Sequence, residues 1–174
     1  MITFYKPNAK VTGAGCSFYV NDQGEFFATF IKQKTAPSNG RAASFDQNKK
    51  AIMKLSPTEI AGFINAILRK TEAKGYHQSS KQVVTFSMAA STGEYAGKFT
   101  WQATFTAKDD STNKSSFFVT LEASEAMLLL EHFRYLLQKH WSITDKKYEN
   151  KNFGKEEASR QKANKPQEDD DLEW

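Results

Sequence analysis

Ala51-Ile52-Met53-Lys54-Leu55-Ser56-Pro57-Thr58-Glu59 is the stretch on which the fold turns. A β-prone run with alternating character ends at Leu55, and a helix signal begins one residue later. Ser56 can cap the helix, Pro57 suits the first helical position, and Glu59 can reach back to close a capping box. Ile60, Phe63, Ile64, Ile67 and Leu68 then recur at the spacing of a single helical stripe. Lys70 and Lys74 suit a helix C-terminus, and Gly75 reads as its stop.

The same junction occurs again downstream. Residues 117–125, Phe-Phe-Val-Thr-Leu-Glu-Ala-Ser-Glu, lie over residues 51–59 with Leu121 on Leu55 and Glu125 on Glu59. Upstream of the first junction, Cys16 to Val20 and Glu25 to Lys34 read as strands around an Asn21-Asp22-Gln23-Gly24 turn. Thr35 to Arg41 is a loop. Ala43 to Asp46 and Lys49 to Leu55 read as two strands joined at Gln47-Asn48. Upstream of the second junction, Lys81 to Ala89, Lys98 to Ala107 and Ser116 to Leu121 are strands, with a fourth expected within Tyr76 to Ser79. The predicted class is α+β: two antiparallel β-sheet-then-helix halves.

The second helix is predicted from Ala123 to about Trp141. Its Met127, Leu128, Leu129, Leu130, Phe133, Leu136, Leu137 and Trp141 cover more than one stripe, so the helix is either central in a larger core or, the favoured reading, in contact with a second subunit. From Asp145 to Gln167 the composition turns to Lys, Glu, Asn and Gln, which reads as a flexible or transiently helical linker. It leads to a disordered acidic tail. The domain division is thus 1–144 for the binding domain and 145–174 for linker and tail.

The 174 residues are 39% hydrophobic and 25% charged, enough for one real core. The longest apolar run, Ala126 to Leu130, falls far short of the roughly 20 residues of a membrane span. The N-terminus has no secretory pattern. Cys16 stands alone, which excludes an internal disulfide framework. A soluble, cytoplasmic protein with no membrane partner is expected. The net charge of +4 conceals an asymmetry: without Glu168 to Trp174, 24 basic side chains face 15 acidic ones. A basic body with an acidic tip is the pattern of a polyanion binder that carries its own competitor. The 14 Phe, 6 Tyr and 3 Trp add faces on which bases stack.

Enzyme motifs are missing: neither a glycine-rich phosphate loop nor a Gly-x-Ser-x-Gly elbow occurs. His77, His132 and His140 form no metal-ligand or nucleophile pattern, and Cys16 reads as a small buried hydrophobe. No cofactor, metal or catalysis is expected. Alternation places Met53, Leu55, Val119 and Leu121 toward the core, and Ile52, Lys54, Phe118 and Thr120 on the opposite face. The backbone-holding candidates are Lys32, Lys34, Lys49, Lys50, Lys54, Lys81 and Lys98, each of which also fits an ordinary solvated strand face. Tyr19, Phe118 and Trp101 are the stacking candidates, although Trp101 sorts with Phe99 and Phe105, a set whose favoured reading is core. In the tail, Asp169, Asp170, Asp171, Leu172 and Trp174 can occupy a basic groove or dock on a partner.

Lys49 to Ile60, and Phe118 to Glu125 with the helix after it, resemble the two sheet-to-helix junctions of Whirly proteins. The resemblance covers roughly residues 10–143. It implies two four-stranded antiparallel sheets each followed by a helix, single-stranded DNA binding, and a homotetramer whose helices meet at its centre. The family's Lys-Gly-Lys strand motif has no counterpart, since Gly24-Glu25-Phe26-Phe27-Ala28 lacks both lysines. Asp169 to Trp174 resembles the acidic tip of bacterial and phage replicative single-strand-binding proteins. That implies recruitment of replication or repair proteins and a setting in a bacterial virus, hence the host cytoplasm. The expected function is non-catalytic, sequence-tolerant single-stranded DNA binding in replication, recombination or repair, with RNA as an alternative polymer. Three rivals stand beside it: an OB-fold replicative single-strand-binding protein with the same tail, a protein-interaction or assembly factor with a basic face, and, weakest, an enzyme.

Overall fold

Side-chain alternation organises this chain into two sheets that share one interior. The computed structural model describes residues 1–38 and 40–163. The first sheet is an antiparallel meander of β1 (Ile2–Lys6), β2 (Ala14–Val20), β3 (Phe26–Thr35) and β4 (Ser44–Leu55), followed by α1 (Pro57–Arg69). The second repeats the plan with β5 (Glu72–Gln78), β6 (Gln82–Ala90), β7 (Phe99–Ala107) and β8 (Lys114–Leu121), followed by α2 (Ala123–Ala163). The expected α+β class with two sheet-then-helix halves is what forms. Two open four-stranded sheets also replace the five-stranded barrel of the OB-fold alternative.

Every second residue of the central strands points inward. Phe18, Phe26, Phe30, Met53 and Leu55 from the first sheet meet Phe86, Met88, Trp101, Phe117, Val119 and Leu121 from the second in one buried cluster. Phe30 stacks on Trp101 at 5.6 Å between centroids, and Phe63 of α1 meets the same indole edge-on at 4.7 Å. α1 packs on β5, β6 and α2, while α2 packs on β2 and β8. Through Leu129, Leu130, Phe133 and Leu136, α2 closes the interior of both sheets. Cys16 is buried in this core, as its β-strand setting implies, and burial pushes its thiol pKa strongly upward.

Several boundaries differ from those expected. β1 is unanticipated, and β5 starts at Glu72, well before Tyr76. α1 stops at Arg69 because Lys70 takes the left-handed conformation (φ 54°) and returns its N–H to the Ala66 carbonyl. Gly75 is therefore no helix stop. It sits inside β5, opposite Phe86, whose ring fills the space a Cβ would need. The two expected strands at 43–46 and 49–55 are one strand, β4, with its pairing to β3 shifted between Gln33↔Phe45 and Ile31↔Lys50.

α2 runs past Trp141 through Ala163, so residues 145–163, read as a flexible or transiently helical linker, continue the helix. Its Lys- and Glu-rich composition favours helix, and its beginning is docked on the β2–β3 turn. His140 Nδ1 donates to the Gly24 carbonyl (2.6 Å), and Lys147 Nζ to the Gln23 carbonyl (2.8 Å). The acidic tail with Asp169, Asp170, Asp171, Leu172 and Trp174 lies outside the described residues. Among the described residues, no helix is long and apolar enough to cross a membrane.

Candidate nucleic-acid interface

The outward-facing side chains of the first sheet fall into rows that cross the strands. One row reads Tyr5–Gly15–Ile31–Lys50, and another Tyr19–Phe27–Lys54. Each row carries aromatic surface and ends in a lysine on β4. The Tyr5 ring lies across Gly15, where an added Cβ would fall 2.7 Å from its Cδ1. It thereby reaches Phe45, with 4.7 Å between centroids. Tyr19 and Phe27 stack at 5.5 Å. Between the two pairs runs Thr3–Ser17–Thr29–Ile52, and the Thr29 hydroxyl is buried there with no hydrogen-bond partner among the described residues.

Residues of the two sheets together line grooves between them. One, of about 300 Å³, is lined by Lys50, Lys81, Gln82, Phe105 and Asn113 among others. Lys50 thus serves both the outer face and this groove. Lys108 donates its backbone N–H to the Lys81 carbonyl (3.0 Å), and Lys114 opens β8. Three lysines therefore gather at this end of the second sheet. A second groove, of about 290 Å³, holds Val11, Lys32, Gln33, Ser116 and Phe118. The Lys32 ammonium lies 5.5 Å from the Phe117 ring centroid, and Phe118 is 60% exposed.

The β1–β2 loop on the rim of that second groove is held by one amide. Gln33 accepts from the N–H groups of Asn8 (2.9 Å) and Gly13 (3.1 Å) and donates to the carbonyls of Asn8 and Thr35. Gly13 permits this, since an added Cβ would stand 2.4 Å from the Gln33 amide oxygen.

The sequence candidates fall into three groups. Lys32, Lys34, Lys50 and Lys81 make no ion pair among the described residues, and Lys49 makes only a loose one with Asp46 at 3.9 Å. Lys54 and Lys98 are engaged by carboxylates, at 2.6 Å to Glu25 and 2.7 Å to Glu122. The Lys54 hydrogen bond lowers the Glu25 pKa, and the Glu122 hydrogen bond raises that of Lys98. Tyr19 and Phe118 present surface to solvent.

Trp101 is corrected. It is 0% exposed, enclosed by Phe18, Phe30, Phe63 and Phe86, and has no face to offer a base. Tyr5, Phe27, Phe45, Lys108 and Lys114 are the residues that linear reading misses. The strand pairing that gathers them is invisible in sequence, although Phe27 could be found by alternation from Phe26.

No protein-family model and no curated protein matches the sequence. Solved structures do. The crystal structure of WHY1 from Arabidopsis thaliana matches with a TM-score of 0.60 at 15% identity, covering 87% of this chain and 92% of that one. WHY3 from the same plant gives 0.60 at 14% identity, covering 86% and 93%. At such identities the likeness is one of architecture: the chain has the Whirly fold, two four-stranded antiparallel sheets each closed by a helix.

Proposed function

We propose that this protein is a non-catalytic, sequence-tolerant single-stranded DNA-binding protein acting in replication, recombination or repair. The observation that carries the reading is the pair of aromatic rows on the first sheet, each ending in a lysine. Bases can stack on Tyr5, Phe45, Tyr19 and Phe27 while Lys50 and its neighbours neutralise phosphates. Lys32 and Lys81 carry the positive surface into the grooves between the sheets, and Lys34, Lys108 and Lys114 add charge on the neighbouring strand ends. The shared fold with the Whirly structures supports the reading, and exposed Met127, Leu128, Tyr135 and Trp141 on α2 support a homotetramer. The acidic tip serves as competitor for the groove and as a handle for replication or repair proteins, in keeping with a bacterial virus.

Anisotropy titrations of labelled single- and double-stranded oligonucleotides at two salt concentrations test this. They compare the full chain with a version ending at Gln167. The expected result is tight single-strand preference, strong weakening by salt through counterion release, and tighter binding without the tail. Equal affinity for single and double strands, or none for either, would overturn it.

A further inference from the structure

The outer face of the second sheet differs in chemistry from that of the first. Its central positions carry Thr85, Ser87, Gln102 and Thr104 in place of aromatic and branched apolar side chains. Two rows cross it: Tyr76–Thr85–Thr104–Ser116 and Lys74–Ser87–Gln102–Phe118. A concavity of about 590 Å³ lies over them, lined by Lys74, Tyr76, Thr85, Ser87, Gln102 and Thr104 together with Glu72. That is the size of a small-ligand site.

The polar groups here are arranged. Ser87 is 6% exposed and accepts a hydrogen bond from Gln102 Nε2 at 2.8 Å. That contact uses one of the two Nε2 protons. Among the described residues the amide oxygen and the second N–H have no partner, and on this exposed side chain they form a donor and an acceptor side by side, matching the hydrogen-bonding edge of a nucleobase. Exposed aromatic rings stand on both sides, Tyr76 on β5 and Phe118 on β8, three strand spacings apart and offset by two residues along the strands, about 16 Å in all. The span accommodates several nucleotides at roughly 3.4 Å rise each. The Tyr76 hydroxyl is tethered to Gln78 at 2.8 Å, and the Lys74 ammonium lies 3.7 Å from Glu72 at the outer edge.

We infer that the outer face of the second sheet is a base-reading track, in which Tyr76 and Phe118 stack bases and Gln102 hydrogen-bonds the edge of the base between them. This deepens the single-strand reading and rests on it: most of the strand is bound without regard to sequence, and one position is read by its edge. Phe118 also lines the groove that holds Lys32, so the track continues into the positive surface.

The test uses thymidine oligomers and oligomers of the same length built from N3-methylthymidine. Methylation removes the edge N–H and leaves backbone charge and ring face in place. On the full-length protein the methylated oligomer is expected to bind about tenfold more weakly, the effect of leaving one polar edge unpaired. Gln102→Leu, a change at an exposed position, is expected to bind both oligomers within about twofold of each other. Tyr76→Ala should weaken both and preserve their ratio. Equal binding of the two oligomers by the unaltered protein would overturn the inference while leaving single-strand binding intact. A methyl penalty that persists in Gln102→Leu would do the same. No binding of the thymidine oligomer at all would remove the single-strand reading along with it.

Discussion

His132 lies on α2 with its Nε2–H donated to the Phe18 carbonyl at 3.1 Å and its ring 6.0 Å from that of Tyr135. Burial lowers its pKa below the ordinary 6.5, against the carbonyl contact, which favours the charged ring. The folded state therefore prefers neutral His132. Its contribution to stability is complete above about pH 6.5 and is lost as pH falls toward the depressed value. Thermal midpoints should drop between about pH 7 and 5.5, and His132→Gln should flatten that slope. Parallel curves for the two proteins would show that the imidazole is not responsible. Trp101 teaches a different lesson at this scale. Alternation alone puts it with Phe99 and Phe105 on the inward face, so its burial was legible from β7. Phe118, one residue from inward-facing Phe117 and Val119, was legible by the same rule as exposed. Tyr5 and Phe45 were not, because their contact spans the sheet from β1 to β4 across a glycine.

The start of α1 is written locally and forms as written. Ser56 Oγ accepts from the Glu59 N–H at 3.2 Å, and Glu59 Oε2 accepts from the Ser56 N–H at 2.7 Å. What the local signal omits is the third partner: His77 of β5 donates to Glu59 Oε1 at 2.8 Å and ties the second sheet to the first helix. β5 itself, Glu-Ala-Lys-Gly-Tyr-His-Gln, has little β-propensity and becomes a strand through pairing with β6. Its glycine is a packing requirement. A methyl group at Gly75 would stand 2.2 Å from the Phe86 ring, which is buried and cannot swing away cheaply. Gly75→Ala should therefore cost about 1–3 kcal/mol in denaturant unfolding. The same change in a Phe86→Leu background should cost markedly less, because the smaller side chain vacates the space. Equal costs in both backgrounds would point to backbone effects instead.

For the molecule as a whole, the apolar excess of α2 divides between two tasks. Leu129, Leu130, Phe133, Leu136 and Leu137 fill the core, while Met127, Leu128, Tyr135 and Trp141 remain exposed. Leu128 and Tyr135 share one line along the helix, and Met127 and Trp141 share another on the opposite flank of the buried side. Light scattering of the full chain should give a tetramer. Leu128→Glu with Trp141→Glu should shift it to smaller species with an unchanged circular dichroism spectrum. A tetramer that survives both changes would place the assembly surface elsewhere. The two-half plan was legible at this scale because each junction repeats a strand-to-helix switch of period. The continuation of α2 was not, since its docking on the β2–β3 turn depends on His140 and Lys147 meeting residues more than a hundred positions away.

Phe18 of β2 rests against Trp101 of β7 at 5.4 Å and against Phe133 of α2 at 5.0 Å. The first sheet is complete in the chain by Leu55, yet its interior is covered only by residues that follow much later. During synthesis, the early sheet must wait with Phe30 uncovered until β7 and β8 follow, and with Phe18 and Phe26 uncovered until Phe133 and His140 of α2 have left the ribosome. A chain truncated before Phe133 should consequently be a target for chaperones and proteases, and either half expressed alone should be insoluble. Nature's order of translation makes the last helix the quality check on everything before it.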